Sequence, residues 1–429
     1  MLIKPAISVK GSISLPGDKS ISHRAAMIAS IAEGDSLIEN FSDGEDCAST
    51  LRCLRQLGLE IEQIGNKVTV HGVGKTGFGK PSAPLDCGNS GTTMRLLAGL
   101  LAGQKFDSVL TGDESLRERP MNRIIEPLRK MGANITSENG RAPLAIGAVD
   151  GLQAVEHESP VASAQVKSCI LLAGMLAEGQ TVVRESVTTR DHTERMLQGF
   201  GADIRSAVLN SKTITTISGT STLTARDVRV PADISAAAFF LIGAACLPGS
   251  DLFISDVGIN PTRRAILKLL DGCGVDIEIT DDRRSLDEPY ANVRVKGGEL
   301  ARSPILEGAR VAEMIDEIPI LAILGTQIEG GLEVRSAKEL RVKETDRIAA
   351  IVENLRRMKA DVEEFDDGFR VGGSQLFGAE IDSFGDHRIV MAFTIAGLLA
   401  KGETNINNAE CADISFPRFF ETLESVVQR

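Results

Sequence analysis

The sequence predicts an α/β protein made of two similar halves, each built from three repeated units. Three observations support this prediction: the length of 429 residues, a repeated helix–glycine–strand junction, and the near-constant spacing of its copies. A chain of this length exceeds what one hydrophobic core usually organises, which favours two domains. The composition, 42% hydrophobic and 25% charged, is typical of an ordinary globular protein.

The repeated junction has the consensus sequence Leu-x-x-φ-Gly-x-Asp/Asn/Glu-φ, in which φ is an apolar residue. Its copies are LRQLGLEI from Leu54, LRKMGANI from Leu128, LQGFGADI from Leu197, LDGCGVDI from Leu270 and LRRMKADV from Leu355, and a sixth helix runs on from Leu423. Each copy is typical of the end of an amphipathic helix, a glycine cap (Lys359 in the fifth copy) and a following strand. A period of about 70 residues is too long for a solenoid. We therefore group the units three and three, with the division near Val228–Pro231.

Charge and composition exclude several classes of partner. The net charge of −12 and the aromatic content of 4% argue against nucleic acid or an anionic membrane surface. The seven cysteines form no C-x-x-C pattern and the five histidines are scattered, so we expect reduced thiols, no metal site and no cofactor. The chain has neither a signal-like start nor an apolar run of about 18 to 20 residues, and we expect a cytoplasmic protein.

The segment LPGDKSISHRAAMIASIAEG places cations and hydroxyls directly before an apolar helix. Asp18 or Ser20 can cap this helix, whose first turn carries exposed N–H groups and a partial positive charge. Lys19, Ser20 and Arg24 would then favour an anion at the helix start. A capped surface helix with two solvated cations is the alternative for this segment taken alone.

The same arrangement, polar residues directly before an apolar helix, recurs in the rest of the first half. This recurrence makes a surface helix with solvated cations the less favourable interpretation. DCGNSGTTMRLLAGLLAG carries Arg95 early in a helix, RERPMNR places arginines around Pro120 at a possible first helical position, and SPVASAQVKSC and TTRDHTERML begin two further helices. Five polar helix starts in an acidic protein suggest a substrate with several anionic groups.

The second half adds carboxylates that could move protons. EMIDEIPILAI places Asp316 and Glu317 against an apolar segment, where a carboxylate is costly unless it is paired or used. In RVKETDR, Lys343 and Arg347 would lie one turn apart on a helix face beside Glu344, although a salt-bridged surface helix start is the alternative. The pattern predicts proton-transfer chemistry on phosphorylated or carboxylated substrates, without metal or organic cofactor.

At these residues the chain resembles the 5-enolpyruvylshikimate-3-phosphate synthase family, the 3-phosphoshikimate 1-carboxyvinyltransferases. The motifs LPGDKSISHR, GNSGTTMR, RERPM, SAQVKS, TRDHTE, DEIP, RVKETDR and GDHR occur in the family's order over essentially the whole chain. The resemblance implies two similar domains, each of three βαβαββ units, in the inside-out α/β barrel arrangement of enolpyruvyl transferases. It implies one domain over residues 16–228 and a second over 1–15 plus 229–429.

The resemblance also implies an activity and a set of site residues. The family transfers the enolpyruvyl group of phosphoenolpyruvate to the 5-hydroxyl of shikimate 3-phosphate and releases phosphate, by addition and then elimination. The implied residues for shikimate 3-phosphate are Lys19, Ser20, Arg24, Ser163, Ala164, Gln165, Arg190, Asp316 and Lys343. Those for phosphoenolpyruvate are Lys19, Gly91, Arg119, Gln165, Arg347 and Arg388. Asp316, Glu344 and Lys19 are the implied catalytic residues.

Two positions depart from the family pattern. Ile414 stands where many relatives carry a lysine for phosphoenolpyruvate, and Leu96 stands where many members carry a proline. Two other functions stay open at this point. The first is transfer to UDP-N-acetylglucosamine, whose enzymes usually carry a loop cysteine before an Arg-Pro; GDESLRERP has none. The second is a non-catalytic anion-binding relative. We expect small-molecule substrates, no nucleic acid, no membrane and a monomer.

Overall fold

The five predicted helix–glycine–strand junctions are confirmed in the computed structural model, which describes residues 1–300 and 305–429. At each junction one residue just after the helix has a positive φ: Gly58 (90°), Gly132 (93°), Gly201 (101°), Gly274 (89°) and Lys359 (62°). Glycine adopts this left-handed conformation at little cost, whereas the side chain of Lys359 makes it less favourable. A strand begins shortly afterwards in every case.

Residues 1–230 contain short strands alternating with helices. The strands are β1 (Leu2–Ile3), β2 (Ser8–Ser14), β3 (Glu33–Glu39), β4 (Ile61–Ile64), β5 (Lys67–Val73), β6 (Leu85–Asp86), β7 (Ser108–Thr111), β8 (Asn134–Glu138), β9 (Arg141–Gly147), β10 (Leu152–Gln153), β11 (Glu156–Ser159), β12 (Ala177–Glu178), β13 (Gln180–Glu185), β14 (Ile204–Leu209), β15 (Lys212–Ser218) and β16 (Val228–Arg229). The helices are α1 (Lys19–Ser30), α2 (Glu45–Gln56), α3 (Gly91–Leu101), α4 (Glu114–Glu118), α5 (Asn122–Lys130), α6 (Ala164–Gly174) and α7 (His192–Gly199).

The same alternation continues beyond residue 230. The strands are β17 (Asp251–Gly258), β18 (Asp276–Ser285), β19 (Glu288–Lys296), β20 (Ile305–Leu306), β21 (Leu332–Val334), β22 (Val362–Phe365), β23 (Gly368–Val371), β24 (Glu380–Asp382), β25 (Thr404–Asn407) and β26 (Val427–Gln428). The helices are α8 (Ile234–Cys246), α9 (Ala265–Gly272), α10 (Ala309–Glu313), α11 (Ile318–Thr326), α12 (Arg347–Arg357), α13 (His387–Leu399) and α14 (Phe419–Glu424), with 3-10 helices at Lys338–Val342 and Ala409–Ile414.

These elements form two compact units, each with its own hydrophobic core. Unit I comprises Gly17–Val230 together with Arg284–Glu288. Unit II comprises Met1–Pro16, Pro231–Arg283 and Pro289–Arg429. Among the described residues, no helix combines the length and the hydropathy needed to cross a membrane.

Unit I contains three four-stranded sheets with one common plan. Their strand orders are β16-β3-β5-β4, β6-β7-β9-β8 and β11-β13-β15-β14. In each, the first two strands are parallel and the others antiparallel. A parallel pair needs a crossover, which a helix supplies, whereas the antiparallel pair is a hairpin. This is the βαβαββ order that the resemblance implied, and it confirms the α/β class.

The sheets of unit II follow the same plan with two modifications. The order β20-β21-β23-β22 repeats it fully, and β18-β19-β17-β2 repeats it with the strand Ser8–Ser14 as the parallel first member. The strand β26 pairs antiparallel with the other edge of β2. The third sheet, β1-β25-β24, has three strands. In unit I, correspondingly, the two-residue strand β16 supplies the parallel neighbour of β3.

In each repeat one helix is almost entirely buried, whereas strands such as β9 alternate buried and exposed residues. In unit I these helices are α1, α3 and α6, and in unit II they are α8, α11 and α13. A helix that is apolar all round, such as α8 or α11, belongs in a core, whereas α1 also buries polar residues near its start. Close packing between α3 and α6 depends on Gly99, where a Cβ would lie 2.4 Å from the carbonyl oxygen of Cys169. The buried helices therefore form the interior of each unit.

Candidate active site

The buried helices of unit I begin side by side. Asp18 accepts from Ile21 N at 2.9 Å, Ser90 from Thr93 N at 3.1 Å and Ser163 from Val166 N at 3.4 Å, so each caps its helix. Asp18, not Ser20, therefore caps α1. Three partial positive charges are brought to one region of the unit, which favours anions there.

Lys19, Ser20, Arg24 and Arg190 lie together at the start of α1. Arg24 is buried and donates to Thr193 Oγ1 at 2.7 Å, Ser168 Oγ at 2.8 Å and the Ser20 carbonyl oxygen at 2.8 Å. The Arg190 guanidinium reaches Ser20 Oγ at 3.5 Å. Burial, and then the positive charge of Arg190, lower the pKa of Arg24 to about 10. Two guanidiniums this close repel each other, and an anion between them would relieve the repulsion.

A second basic cluster surrounds the start of α3. The Arg119 guanidinium donates to Asn89 Oδ1 at 2.7 Å, and Arg95 donates to Gln165 Oε1 at 2.7 Å. Gly91 lies between the two arginines, because a Cβ placed there would be 2.7 Å from Arg95 Nη1 and 3.4 Å from Arg119 Nη1. The missing side chain keeps the N–H groups of this helix start open.

The first turn of α6 supplies the remaining predicted residues of unit I. Ser163 is its cap, Ala164 its first residue, and Gln165 also donates to Thr92 Oγ1 at 2.9 Å. Gln165 thus connects the α6 start to the Arg95 cluster. At the start of α1, Lys19 Nζ pairs with Asp46 Oδ2 at 2.9 Å.

The five predicted residues of unit II form one cluster around Asp316. Its Oδ1 lies 3.6 Å from both Lys343 Nζ and Arg347 Nη1, and its Oδ2 lies 3.9 Å from Arg388 Nη2. Arg388 also donates to the Asp316 carbonyl oxygen at 2.9 Å. Glu344 Oε2 accepts from Arg347 Nη2 at 2.7 Å. The cluster thus combines a carboxylate, which can accept a proton, with three cations, which can bind an anionic substrate.

Arg347 is the buried centre of this cluster. Its Nε donates to Asp386 Oδ2 at 2.7 Å, and Asp386 in turn caps α13 by accepting from Arg388 N at 2.8 Å. Burial opposes the charge of Arg347, but the carboxylates of Asp386, Glu344 and Asp316 outweigh it and raise its pKa above the ordinary value. Arg347 therefore remains a cation.

Two local expectations were wrong. Lys343 and Arg347 do not share a helix face, because Asp346 caps α12 and residues 343–346 form a turn between it and the preceding 3-10 helix. Pro120 does not open a helix either, since α5 begins at Asn122 with Met121 as its cap residue.

Of the neighbouring carboxylates Asp316 and Glu317, only Asp316 joins the basic cluster. Glu317 is fully buried, 3.0 Å from Arg263 Nη2, and accepts from Ser235 Oγ. This buried group links the starts of α8 and α11. The surroundings of Glu317 therefore suit a structural role. The sequence alone did not distinguish the role of Glu317 from that of Asp316, because the two carboxylates are adjacent in the chain.

Two groups of metal-type ligands occur in the described ranges, and neither includes Asp316 or Glu344. They are Glu60, Glu62 and His71, and Asp191, His192 and Glu288. In the second group His192 Nδ1 lies 2.7 Å from Glu288 Oε1, and Asp191 pairs with the Arg195 cation at 2.8 Å. A cation already bonded to Asp191 makes this group unfavourable for a metal ion.

Comparison with known proteins identifies the family of the chain. The model of the family described as EPSP synthase (3-phosphoshikimate 1-carboxyvinyltransferase) matches residues 3–423. The chain belongs to the EPSP synthase family. A Solibacter usitatus relative named 3-phosphoshikimate 1-carboxyvinyltransferase is 50% identical over 427 residues, covering 99% of each chain. A relative of the same name from Geobacter sp. (strain M21) is 49% identical over 430 residues, covering 100% of this chain and 99% of its own.

Solved structures of the EPSP synthase family share the fold. EPSP synthase from Acinetobacter baumannii is 42% identical, with a TM-score of 0.88, and the match covers 99% of this chain and 98% of that chain. The family membership predicted from the motifs is thereby confirmed.

The structure adds residues that the motifs did not assign. Arg95 contacts Gln165, and Ser168 and Thr193 hold Arg24. Ser168 and Thr193 lie within SAQVKS and TRDHTE, but only the packing of the helices connects them to Arg24. Ile414, one of the two departures from the family pattern, packs against the core of unit II.

Proposed function

We propose that this protein is an enzyme that transfers the enolpyruvyl group of phosphoenolpyruvate to the 5-hydroxyl of shikimate 3-phosphate, releasing phosphate. Membership of the EPSP synthase family along residues 3–423 supports this activity, as do relatives about half identical that carry the name 3-phosphoshikimate 1-carboxyvinyltransferase. The observation that carries the proposal is the Asp316 carboxylate within 4 Å of three cations. A merely anion-binding protein gains nothing from a carboxylate at that position.

For the unit I residues, we propose that the phosphate of shikimate 3-phosphate binds Lys19, Ser20, Arg24 and Arg190, with Ser163, Ala164 and Gln165 beside it. The mutual repulsion of Arg24 and Arg190 supports an anion there. We propose that phosphoenolpyruvate binds Lys19, Gly91, Arg119 and Gln165 in the same unit. Backbone N–H groups, a helix dipole and a guanidinium are the features that bind phosphate and carboxylate.

For the unit II residues, we propose that Asp316 accepts the proton of the attacking hydroxyl, with Lys343 also contacting substrate hydroxyls. The hydroxyl oxygen bonds to C2 of phosphoenolpyruvate while the methylene carbon C3 gains a proton, giving a tetrahedral intermediate. A proton then leaves the new methyl group and the bond from C2 to the phosphate oxygen breaks. Glu344 is the proposed group for transfer at C3, and Arg347 and Arg388 bind phosphoenolpyruvate. Lys19 is the proposed cation that stabilises the departing phosphate.

We also propose that the predicted domains, 16–228 and 1–15 plus 229–429, are the functional divisions of the chain. The separate cores of units I and II support this division. The monomeric state and the cytoplasmic location stay predictions; sedimentation velocity tests the first.

Phosphate release tests the activity. The protein is mixed with phosphoenolpyruvate and either shikimate 3-phosphate or UDP-N-acetylglucosamine, without added metal, and the organic product is identified by mass. We expect release and an enolpyruvyl product with shikimate 3-phosphate alone. Release only with the nucleotide sugar would instead assign the other acceptor, which the family match does not favour. No release with either, in a protein that binds both substrates, would indicate a non-catalytic relative.

A further inference from the structure

Lys167 is a buried lysine with two carboxylate partners. Its side chain is 1% exposed, and its Nζ lies 2.9 Å from Glu185 Oε2 and 2.8 Å from Glu194 Oε1. A third contact reaches the carbonyl oxygen of Thr189 at 3.3 Å. The ammonium thus directs its three N–H donors at three acceptors, which is the condition under which a buried charge is tolerated.

The three partners of Lys167 bracket one short segment. Glu185 is the last residue of β13, and Glu194 lies in the first turn of α7. Thr189 lies between them, and its hydroxyl also donates to Glu185 Oε1 at 2.5 Å. Residue Arg190 follows directly. Lys167 therefore ties both ends of the segment 186–191 to helix α6, together with the carbonyl that precedes Arg190.

Ser168, the residue after Lys167, also connects helix α6 to helix α7. Ser168 Oγ lies 2.7 Å from Thr193 Oγ1, and the same two hydroxyls accept from the Arg24 guanidinium. Thr193 is adjacent to Glu194 in α7. Fixing Glu194 therefore also fixes the hydroxyl that orients Arg24.

A buried ion group is a poor source of stability, because well-packed apolar residues of the same volume often stabilise as much or more. What the ion group does provide is one defined geometry, since an ammonium bonded to three oxygens allows little freedom to the chain that carries them. Here that chain carries Arg190 and holds Arg24.

We infer that Lys167 is a positioning residue that sets the spacing of Arg24 and Arg190 for the phosphate of the acceptor substrate. The identity of that substrate rests on the proposed function, whereas the geometry rests on unit I alone. Lys167 itself touches neither substrate; it acts through Thr189, Glu185 and Glu194.

Steady-state kinetics of Lys167→Met test the inference. We expect the KM for shikimate 3-phosphate to rise about tenfold or more, because small displacements of binding groups carry costs of this size, while the KM for phosphoenolpyruvate stays within about twofold. Glu185→Gln is a milder second variant that keeps the pair with Glu194, and it should change the same constant in the same direction by a smaller factor. Lys75→Met is the control, because Lys75 also donates to a carbonyl oxygen, that of Gly219 at 2.6 Å, in the same unit.

Equal rises in both KM values, or unchanged KM values with a lowered Tm, would overturn the inference and leave Lys167 a structural residue. A second readout requires no substrate. Amide hydrogen exchange of residues 186–192 should become faster in Glu185→Gln and Lys167→Met than in Lys75→Met, while α3 is unchanged. Unaltered exchange in that segment would reject the positioning role even if the wild type releases phosphate, and a wild type that releases none would reject the proposed function without affecting this result.

Discussion

Gly91→Ala places a methyl group between Arg119 of the proposed phosphoenolpyruvate site and Arg95, which contacts Gln165 of that site. The new Cβ would lie 2.7 Å from Arg95 Nη1 and 3.4 Å from Arg119 Nη1. The closer atom is the far end of a flexible side chain and not backbone, so the guanidinium moves and the fold does not. The displacement acts on the 2.7 Å hydrogen bond from Arg95 Nη1 to Gln165 Oε1.

The size of the effect follows from that hydrogen bond. A hydrogen bond with one charged partner contributes about 1.5–3 kcal/mol, and about 1.4 kcal/mol corresponds to a factor of ten in affinity. If the displaced Arg95 no longer orients Gln165, the KM for phosphoenolpyruvate should rise roughly 10- to 100-fold. Stability should change little, because Gly91 is the first residue of α3 and the close contact falls on the end of a flexible side chain.

The assay is initial-rate kinetics at saturating shikimate 3-phosphate with phosphoenolpyruvate varied, accompanied by thermal unfolding. Gly151→Ala is the control, because a Cβ there has no atom of the described structure within 4 Å. An unchanged KM for phosphoenolpyruvate together with an unchanged Tm would refute the reasoning, since it would mean that the methyl group is accommodated without moving Arg95.

Three further predictions concern buried or clustered charges. Asp316→Asn removes the proposed proton acceptor, so the single-turnover rate constant should fall about 10²- to 10⁴-fold while shikimate 3-phosphate still binds. A rate constant near that of the wild type would reject the role. Burial, with the nearby cations Lys19 and Arg24, lowers the pKa of His23 well below 6.5, so the ring is neutral in the folded protein and protonates more readily in the unfolded chain. The free energy of unfolding should therefore decrease as the pH falls below 6.5, by up to about 1.4 kcal/mol per pH unit from this group. In urea titrations between pH 5 and 8, His23→Gln should make this pH dependence weaker. The same pH dependence in the variant and the wild type would contradict the assignment. Arg263→Met leaves the buried Glu317 carboxylate without its guanidinium, and the free energy of unfolding in urea should fall by about 3–5 kcal/mol. Adding Glu317→Gln to this variant should restore part of the lost stability. A loss of stability under about 1 kcal/mol would show that the pair is dispensable.

The sequence was sufficient to predict what depends on local chemistry. A leucine-rich helix end, a residue that tolerates positive φ and a β-forming run specify the junction at Gly58 and its later copies, and all five are present. The helix starts in GNSGTTMR and SAQVKS were likewise predictable, because the polar turn and the apolar helix that follows it are neighbours in the chain.

Features that depend on distant partners were not predictable in the same way. A two-residue strand such as Val228–Arg229 carries no periodicity, and only its pairing with β3 makes it a strand. The spacing of Lys343 and Arg347 suits a helix, but a cap at Asp346 outweighs that propensity. Lys167 has the sequence environment of an ordinary helix residue, and its role depends on carboxylates that the fold brings to it.

The strand Ser8–Ser14 has a consequence for the order in which the chain folds during synthesis. Its partner strand lies far along the chain: Val9 N donates to Ser250 Oγ, 241 positions away, and Ser8 pairs with Gln428. At about 5–20 residues per second, the ribosome takes roughly 10 to 50 s to make that distance. During this interval most of unit I is already complete, whereas the N-terminal strand has two unpaired edges. The strand Ser8–Ser14 is therefore made early but receives its backbone hydrogen bonds only when unit II is synthesised.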